Sequence, residues 1–165
     1  MDCKSAFDEF RRASDDGAKS RAINGLIHAG CRRYSHRLLN DFGDQPEEVK
    51  LSIIFAMRMI AGPRAKKSLE VLMSDPSLSV PVRAALTEIV GDLGMSGCRP
   101  ILRQQLGHAS PEIRFWSCQS LGMIPDADDL PSLEVMLTDL EYGYVDSTVA
   151  DAAGRAIEMI TSKET

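Results

Sequence analysis

The chain has few aromatic residues and no excess of basic ones. Phe, Trp and Tyr make up 5% of its 165 residues, so a core must be built from Leu, Ile, Val, Met and Ala. The formal net charge is −5. This charge argues against a protein that wraps nucleic acid, because such proteins neutralise phosphates with Lys and Arg. The length is that of one domain, so we expect a single soluble domain without a nucleic-acid partner.

Cysteines are sparse, and long apolar runs are missing. The four cysteines, Cys3, Cys31, Cys98 and Cys118, form no CxxC pair and lie near no histidine in a zinc-ligand pattern. We expect them to be scattered, buried thiols in a reducing compartment. The N-terminus lacks the apolar run of a signal peptide, and the most apolar stretch, LSIIFAM, is too short to cross a bilayer. These features predict a cytoplasmic protein that does not enter a membrane.

Catalytic motifs and strand signals are also missing. The chain has no Gly-rich phosphate loop, no GxSxG and no HExxH. Its three histidines, His28, His36 and His108, lie far apart, with no Glu beside any of them. No alternation of apolar and polar residues flanks a tight Asn-Gly or Asp-Gly turn. We therefore expect a non-enzyme without catalytic residues, metal or cofactor, and we predict no strands.

The sequence does contain a repeat, with intervals of 31 to 36 residues between equivalent positions. Each copy has an apolar position zero, and apolar residues return four, eight and eleven residues later, with Ser117 as the one exception. These offsets form one stripe on a helix with about 3.6 residues per turn. Position zero is Ala18, Val49, Val82, Ile113 or Val149, and a helix-ending residue follows four copies as Gly30, Gly62, Gly94 or Pro125. A shorter amphipathic helix precedes each copy. This predicts five helix–turn–helix units, at roughly 1–30, 31–62, 63–94, 95–125 and 126–165.

Two of these copies, DPSLSVPVRAALTEIVGDLG and ASPEIRFWSCQSLGMIP, resemble the HEAT-repeat family. The resemblance is closest to the short HEAT-like repeats first named from the phycobilisome lyases. It implies an all-α fold, a right-handed α-solenoid of about five antiparallel repeats in one domain over residues 1–165.

The resemblance also implies a ladder of ion pairs between helix starts and interhelical turns. A base at a helix N-terminus is disfavoured by the helix dipole, and a bidentate Arg–Asp pair would compensate it. An anion site for phosphate is the alternative role for these bases. The bases are Lys19, Lys50, Arg83 and Arg114, and the turn residues are Asp15, Asp44, Asp75 and Asp139, with His108 in the fourth copy.

The predicted contact surface lies on the second helices, opposite the apolar stripe. In the second unit this face is also apolar, so either neighbouring helices cover it or it forms an exposed patch for a partner. Aromatic residues and arginine are frequent anchors in protein interfaces. The predicted partner-binding residues are Leu51, Ile54, Phe55, Arg58, Glu88, Asp92, Phe115 and Gln119.

Two further aromatic features bear on function. Trp116 flanks the core stripe, so we expect it to pack in the core rather than stack on a ligand. The insertion LEYGYVDST predicts a mobile aromatic loop around Tyr142 and Tyr144.

The leading hypothesis is a non-enzymatic module that binds a protein partner of basic character on its concave face. It would act as an adaptor, an assembly chaperone or a toxin-neutralising immunity protein. The alternative that the resemblance implies is a bilin lyase or isomerase that handles a tetrapyrrole with a cysteine, Trp116 and the tyrosines.

Overall fold

The computed structural model describes residues 2–162, and nearly all of its regular structure is helical. The helices are α1 (Cys3–Arg12), α2 (Asp16–His28), α3 (Ser35–Asn40), α4 (Glu47–Ile60), α5 (Pro63–Met73), α6 (Val80–Asp92), α7 (Arg99–Gln105), α8 (Pro111–Met123), α9 (Leu130–Met136) and α10 (Val149–Thr161). Short 3-10 turns at Arg32–Tyr34, Ser96–Cys98 and Ala127–Asp129 lead into α3, α7 and α9. The predicted all-α class is confirmed.

The prediction of no strands is wrong. Between α9 and α10 a short antiparallel hairpin joins β1 (Tyr142–Tyr144) to β2 (Ser147–Thr148). Among residues 2–162 it is the only sheet.

The apolar stripe deduced from the repeat is largely the core. Of its twenty positions, sixteen are buried, including the polar Ser117. The four that are not are Ala18, Ala29, Leu93 and Ile157. Three of these lie in the first or last repeat, where a helix has fewer neighbours to cover it.

Glycine ends two of the long helices in the way that the sequence indicates. Gly30 and Gly94 adopt φ values of 60° and 63°, which a residue with a Cβ rarely adopts. The amide of the next residue then returns to an open carbonyl of the last turn: Cys31 donates to Leu26 and Met95 donates to Val90. This pattern of hydrogen bonds stops the helix and satisfies its last carbonyl groups.

The chain divides into two compact units, residues 1–72 and residues 73–165. In the first, α1 packs on α2, and α2 packs on α4. The rings of Phe7 and Tyr34 lie 5.2 Å apart between centroids.

A disulfide joins Cys3 at the start of α1 to Cys31 after α2. The expectation of four unpaired thiols is therefore wrong. Disulfides are typical of oxidising compartments, so the cysteines no longer support the prediction of a reducing one. The two remaining cysteines, Cys98 and Cys118, are buried and form no disulfide.

In the second unit, α6, α8 and α10 form a layer in which α8 lies between the other two. Two glycines allow these helices to approach closely. A Cβ on Gly91 would lie 2.8 Å from Cα of Ser120, and one on Gly122 would lie 2.8 Å from Cα of Ala156. Helix α7 packs on α8, α9 packs on α10, and the hairpin packs on α8. Within residues 2–162, no helix combines the length and the apolar character needed to cross a membrane.

Candidate functional site

The base at the start of α8 is held by acids from the next repeat. Arg114 is buried, and its Nε donates to Oδ2 of Asp139 at 2.7 Å while its Nη2 reaches both Asp139 and Glu141. The Nη1 group donates to the carbonyl groups of His108 and Ala109 at 2.8 and 3.0 Å. The hydrogen bond to Arg114 lowers the pKa of Asp139 and keeps it ionised. This is the implied ladder pair, and these contacts commit the guanidinium to a structural role.

Two of the other bases, Arg83 and Lys19, make different contacts from those that the ladder implies. Arg83 donates to the backbone carbonyl groups of Met73, at 3.4 Å, and of Asp75. Lys19 donates to the side-chain amide oxygen of Gln45 at 2.7 Å, so an amide stands where an acid was expected. The base therefore recurs in four of the five repeats, whereas its acceptor varies.

His108 substitutes for the turn aspartate of the other repeats. Its Nδ1 accepts from the amide of Ser110 at 2.9 Å, as Oδ1 of Asp75 accepts from the amide of Ser77 at 2.8 Å. Burial lowers the pKa of His108, and the nearby Arg83 and Arg114 lower it further. A neutral imidazole therefore supplies the acceptor that a carboxylate supplies elsewhere.

A second acid–base cluster links two first helices, and the sequence analysis missed it. Asp129 is completely buried and accepts from Nε of both Arg99, at 3.0 Å, and Arg103. Arg99 also donates to the carbonyl of Ile124 at 2.7 Å and pairs with Asp126 at 3.1 Å. The signal was the four-residue spacing of the arginines, which places both on one face of α7.

Four of the eight predicted partner-binding residues lie in the first unit, on α4. Ile54 is 1% exposed, so its assignment to a partner surface is wrong. Leu51 is half-buried, whereas Arg58 and Phe55 are exposed, Phe55 by 57%, with the guanidinium 5.9 Å from the Phe55 ring centroid. The sequence analysis missed Met59, which is equally exposed one turn beyond Phe55.

The other four predicted residues lie in the second unit. Phe115 is 2% exposed because Gly143 of the hairpin packs on it, so its assignment is also wrong. Asp92 is exposed, and Glu88 and Gln119 are half-buried. On helices α8 and α10 the large exposed apolar residues are instead Met123 and Met159.

Three of these exposed residues share one register. Phe55 stands six residues after position zero of its repeat, and Met59, Met123 and Met159 each stand ten residues after it. The residue at offset ten is exposed in all five repeats, as His28, Met59, Asp92, Met123 and Met159. We refer to these residues as the second-helix ridge of each unit, formed by Phe55 and Met59 in the first unit and by Met123 and Met159 in the second. In the second unit, Met123 and Met159 lie on neighbouring helices.

Trp116 belongs to an aromatic cluster and is only half-buried. Its ring lies 5.2 Å from that of Phe115 and 5.1 Å from that of Tyr144, measured between centroids. The segment predicted as an aromatic loop is the hairpin itself. A Cβ on Gly143 would lie 2.3 Å from Cβ of Phe115, so β1 approaches α8 as closely as a backbone can.

The cysteines offer no reactive thiol to the tetrapyrrole alternative. Cys3 and Cys31 are bonded to each other, and Cys98 is buried. Burial raises the pKa of Cys118 to about 12, which leaves almost no thiolate near neutral pH. Among residues 2–162, no three His, Cys, Asp or Glu side chains are grouped so that they could hold a metal ion.

A family model of HEAT repeats matches residues 70–154, from α5 to the first part of α10. No curated protein matches the chain.

Proposed function

Because this chain belongs to the HEAT-repeat family, we propose that it is a non-enzymatic module that binds a protein partner through the second-helix ridge. HEAT repeats generally mediate interactions between proteins. An adaptor, an assembly chaperone and an immunity protein would each need such a surface to contact its partner. The partner that we propose is basic, because the chain has a net charge of −5.

The observation that carries the proposal is the recurrence of exposed apolar side chains in one register of the second helices. Exposed apolar residues scattered singly need no explanation. Here, however, three exposed methionines, Met59, Met123 and Met159, occupy the same position of three repeats. Methionine is flexible and polarizable, so it adapts to an irregular partner surface.

The first unit adds an aromatic anchor to its part of the ridge. Phe55 and Met59 lie four residues apart on α4 and so share one face of the helix. The guanidinium of Arg58 lies over the Phe55 ring, which combines an aromatic side chain with an arginine, and both types are enriched in protein interfaces. These properties support a partner contact at α4.

The proposal is tested by capturing the partner and then removing the ridge. The tagged protein is purified from its native cell, and the captured protein is identified and made recombinantly. Its dissociation constant is then measured for the wild type, Phe55→Asp and the double variant Met123→Ser/Met159→Ser. We expect at least one of the variants to weaken binding by tenfold or more, which is about 1.4 kcal/mol.

Val71→Asp is the matched control. Val71 is 69% exposed on α5, so this change adds the same charge at an exposed apolar position outside the ridge. We expect it to bind like the wild type. Unchanged affinity in both folded ridge variants would disprove the ridge as the contact surface.

A further inference from the structure

The segment of residues 139–144, which ends in β1, directs its apolar side chains away from the core. Side chains alternate between two faces along an extended chain. On the inward face, Asp139 and Glu141 bind Arg114, and Gly143 packs on Phe115. On the outward face lie Leu140, Tyr142 and Tyr144, which are 74%, 67% and 52% exposed. The segment thus places acids and a glycine against α8 and presents its apolar side chains outward.

The turn of the hairpin adds a further exposed apolar side chain at a conformational cost. Val145 has a φ of 46°, which is a genuine outlier for a β-branched residue. Such loops favour glycine or asparagine where φ is positive. The Val145 side chain is nevertheless 74% exposed, so it gains little from packing within the chain. Folding alone would favour glycine at this position.

The stretch of chain that contains this segment carries charge of one sign. Between Arg114 and Arg155 the chain has eight Asp and Glu and no Lys or Arg. Five of these acids are exposed: Asp128, Glu134, Glu141, Asp146 and Asp151. The two units differ in the same way, because residues 1–72 hold 13 Lys and Arg against 10 Asp and Glu, whereas residues 73–165 hold 6 against 14. A unit with this excess of acids repels nucleic acid and anionic lipid and attracts basic protein segments.

We propose that the outward face of the hairpin segment, formed by Leu140, Tyr142, Tyr144 and Val145, docks a protein segment that carries both basic and apolar side chains. Tyrosine offers a large, rigid contact area together with a hydroxyl group, which suits an interface. Tyr144 is also held in place, because its ring packs on Trp116 and Phe115. None of these residues belongs to the second-helix ridge, so the inference stands or falls independently of the ridge.

A defined peptide tests the proposal without knowledge of the natural partner. The probe is a fluorescein-labelled 12-residue peptide of alternating Leu and Lys. Two matched peptides replace every Leu by Ser or every Lys by Glu. We expect only the Leu/Lys peptide to bind, and we expect its amide shift perturbations in NMR spectra to centre on residues 139–148. Equal binding of the Ser/Lys peptide, or perturbations centred elsewhere, would overturn the proposal.

Three variants distinguish an effect on peptide binding at the hairpin surface from an effect on the stability of the fold. The double change Leu140→Ser/Tyr142→Ser should weaken Leu/Lys peptide binding by at least tenfold, and Val71→Ser on α5 should leave it unchanged. Val145→Gly should weaken peptide binding while raising the melting temperature by a few degrees, because it removes both a contact and the backbone strain. Unchanged binding in Leu140→Ser/Tyr142→Ser and in Val145→Gly would contradict the docking role.

Self-association is measured in the same samples. If light scattering detects a dimer that Leu140→Ser/Tyr142→Ser abolishes, a second copy covers this face and the proposed basic partner is wrong. A monomer that binds the Leu/Lys peptide supports the proposal. If the wild-type protein does not bind the Leu/Lys peptide but the ridge variants lose the captured partner, the hairpin surface is disproved and the ridge proposal stands. If the peptide binds at the hairpin but the ridge variants keep their affinity for the partner, the ridge is disproved and the hairpin surface stands.

Discussion

His108 shows how one residue of a repeat can be replaced without loss of its local role. Its neutral imidazole accepts the amide hydrogen bond that a turn aspartate accepts in other repeats. It does not, however, supply the negative charge, and both Arg83 and Arg114 lower its pKa. An aspartate would keep the acceptor and add the missing charge.

We predict that His108→Asp stabilises the protein by about 1 kcal/mol at pH 7, through attraction to the two arginines. The measurement is the free energy of unfolding in urea, with His108→Asn as the control that keeps an acceptor without the charge. A destabilised aspartate variant, or an asparagine variant that gains as much, would contradict this role of the charge.

The same histidine should make stability depend on pH. Because the folded-state pKa of His108 is below its ordinary value of 6.5, the folded state favours the neutral form. Its contribution to the free energy of unfolding is fully present above pH 6.5 and is lost as the pH falls through the lower pKa of the folded state. We predict that wild-type stability declines from pH 7 to pH 5.5 and that His108→Asn shows a smaller decline. Parallel curves for the two proteins would contradict the prediction.

Arg114 is the residue whose planar geometry matters most. Its guanidinium reaches three side-chain oxygens and two carbonyl groups, which the three donors of a lysine cannot match. We predict that Arg114→Lys costs about 2 kcal/mol of unfolding free energy and alters Trp116 fluorescence, because the hairpin is anchored through Asp139 and Glu141. Arg83→Lys is the matched control and should cost less. Equal costs in the two variants would argue against a special role for Arg114.

Among the elements, the layer of α6, α8 and α10 depends on glycine at its crossings. We predict that Gly122→Ala destabilises the protein by about 1–2 kcal/mol, since overpacking against Ala156 outweighs the gain in helix propensity. Gly43→Ala is the control, because no atom lies within 4 Å of its added Cβ, and it should be neutral or slightly stabilising. The check is thermal unfolding of both variants, and a neutral Gly122→Ala would mean that the helices separate without cost.

The sequence predicted the helices better than it predicted their exposed faces. The stripe at offsets 0, 4, 8 and 11 is a local pattern, and burial follows it closely. Ile54 and Phe115 lie outside the stripe and are buried all the same. For α8 the reason is that a helix inside a layer has a neighbour on each flank, so its buried arc is wider than one stripe. That arc depends on contacts between repeats, which a pattern within one repeat does not encode.

The hairpin was missed for a different reason. Strand signals in a sequence assume that apolar residues alternate toward the core. In the segment from Asp139 to Tyr144 the alternation is reversed. Arg114 binds the acids on the inward side, and Gly143 packs directly against Phe115, where a larger residue would not fit. Its signal was present as the alternating order of Leu140, Tyr142 and Tyr144 with acids and glycine. Only the position of Arg114 shows which side faces inward.

At the scale of the whole molecule, the disulfide distinguishes the two compact units. Cys3 and Cys31 both lie in the first unit and close a loop of 28 residues in sequence separation. Such a cross-link limits the unfolded chain, and loops of this size stabilise by about 2–4 kcal/mol. In a repeat protein each repeat contacts only its neighbours, so this stabilisation should stay near the first repeats.

We therefore predict that reduction lowers the free energy of unfolding by about 2–4 kcal/mol and acts unevenly along the chain. In hydrogen exchange measured with and without dithiothreitol, amides of α1 and α2 should exchange faster after reduction, whereas those of α8 and α10 should keep their protection. The double variant Cys3→Ser/Cys31→Ser should behave like the reduced protein and be insensitive to dithiothreitol. If reduction leaves wild-type stability unchanged, the cross-link does not stabilise the fold. If protection falls equally in both units, the two unfold as one cooperative structure.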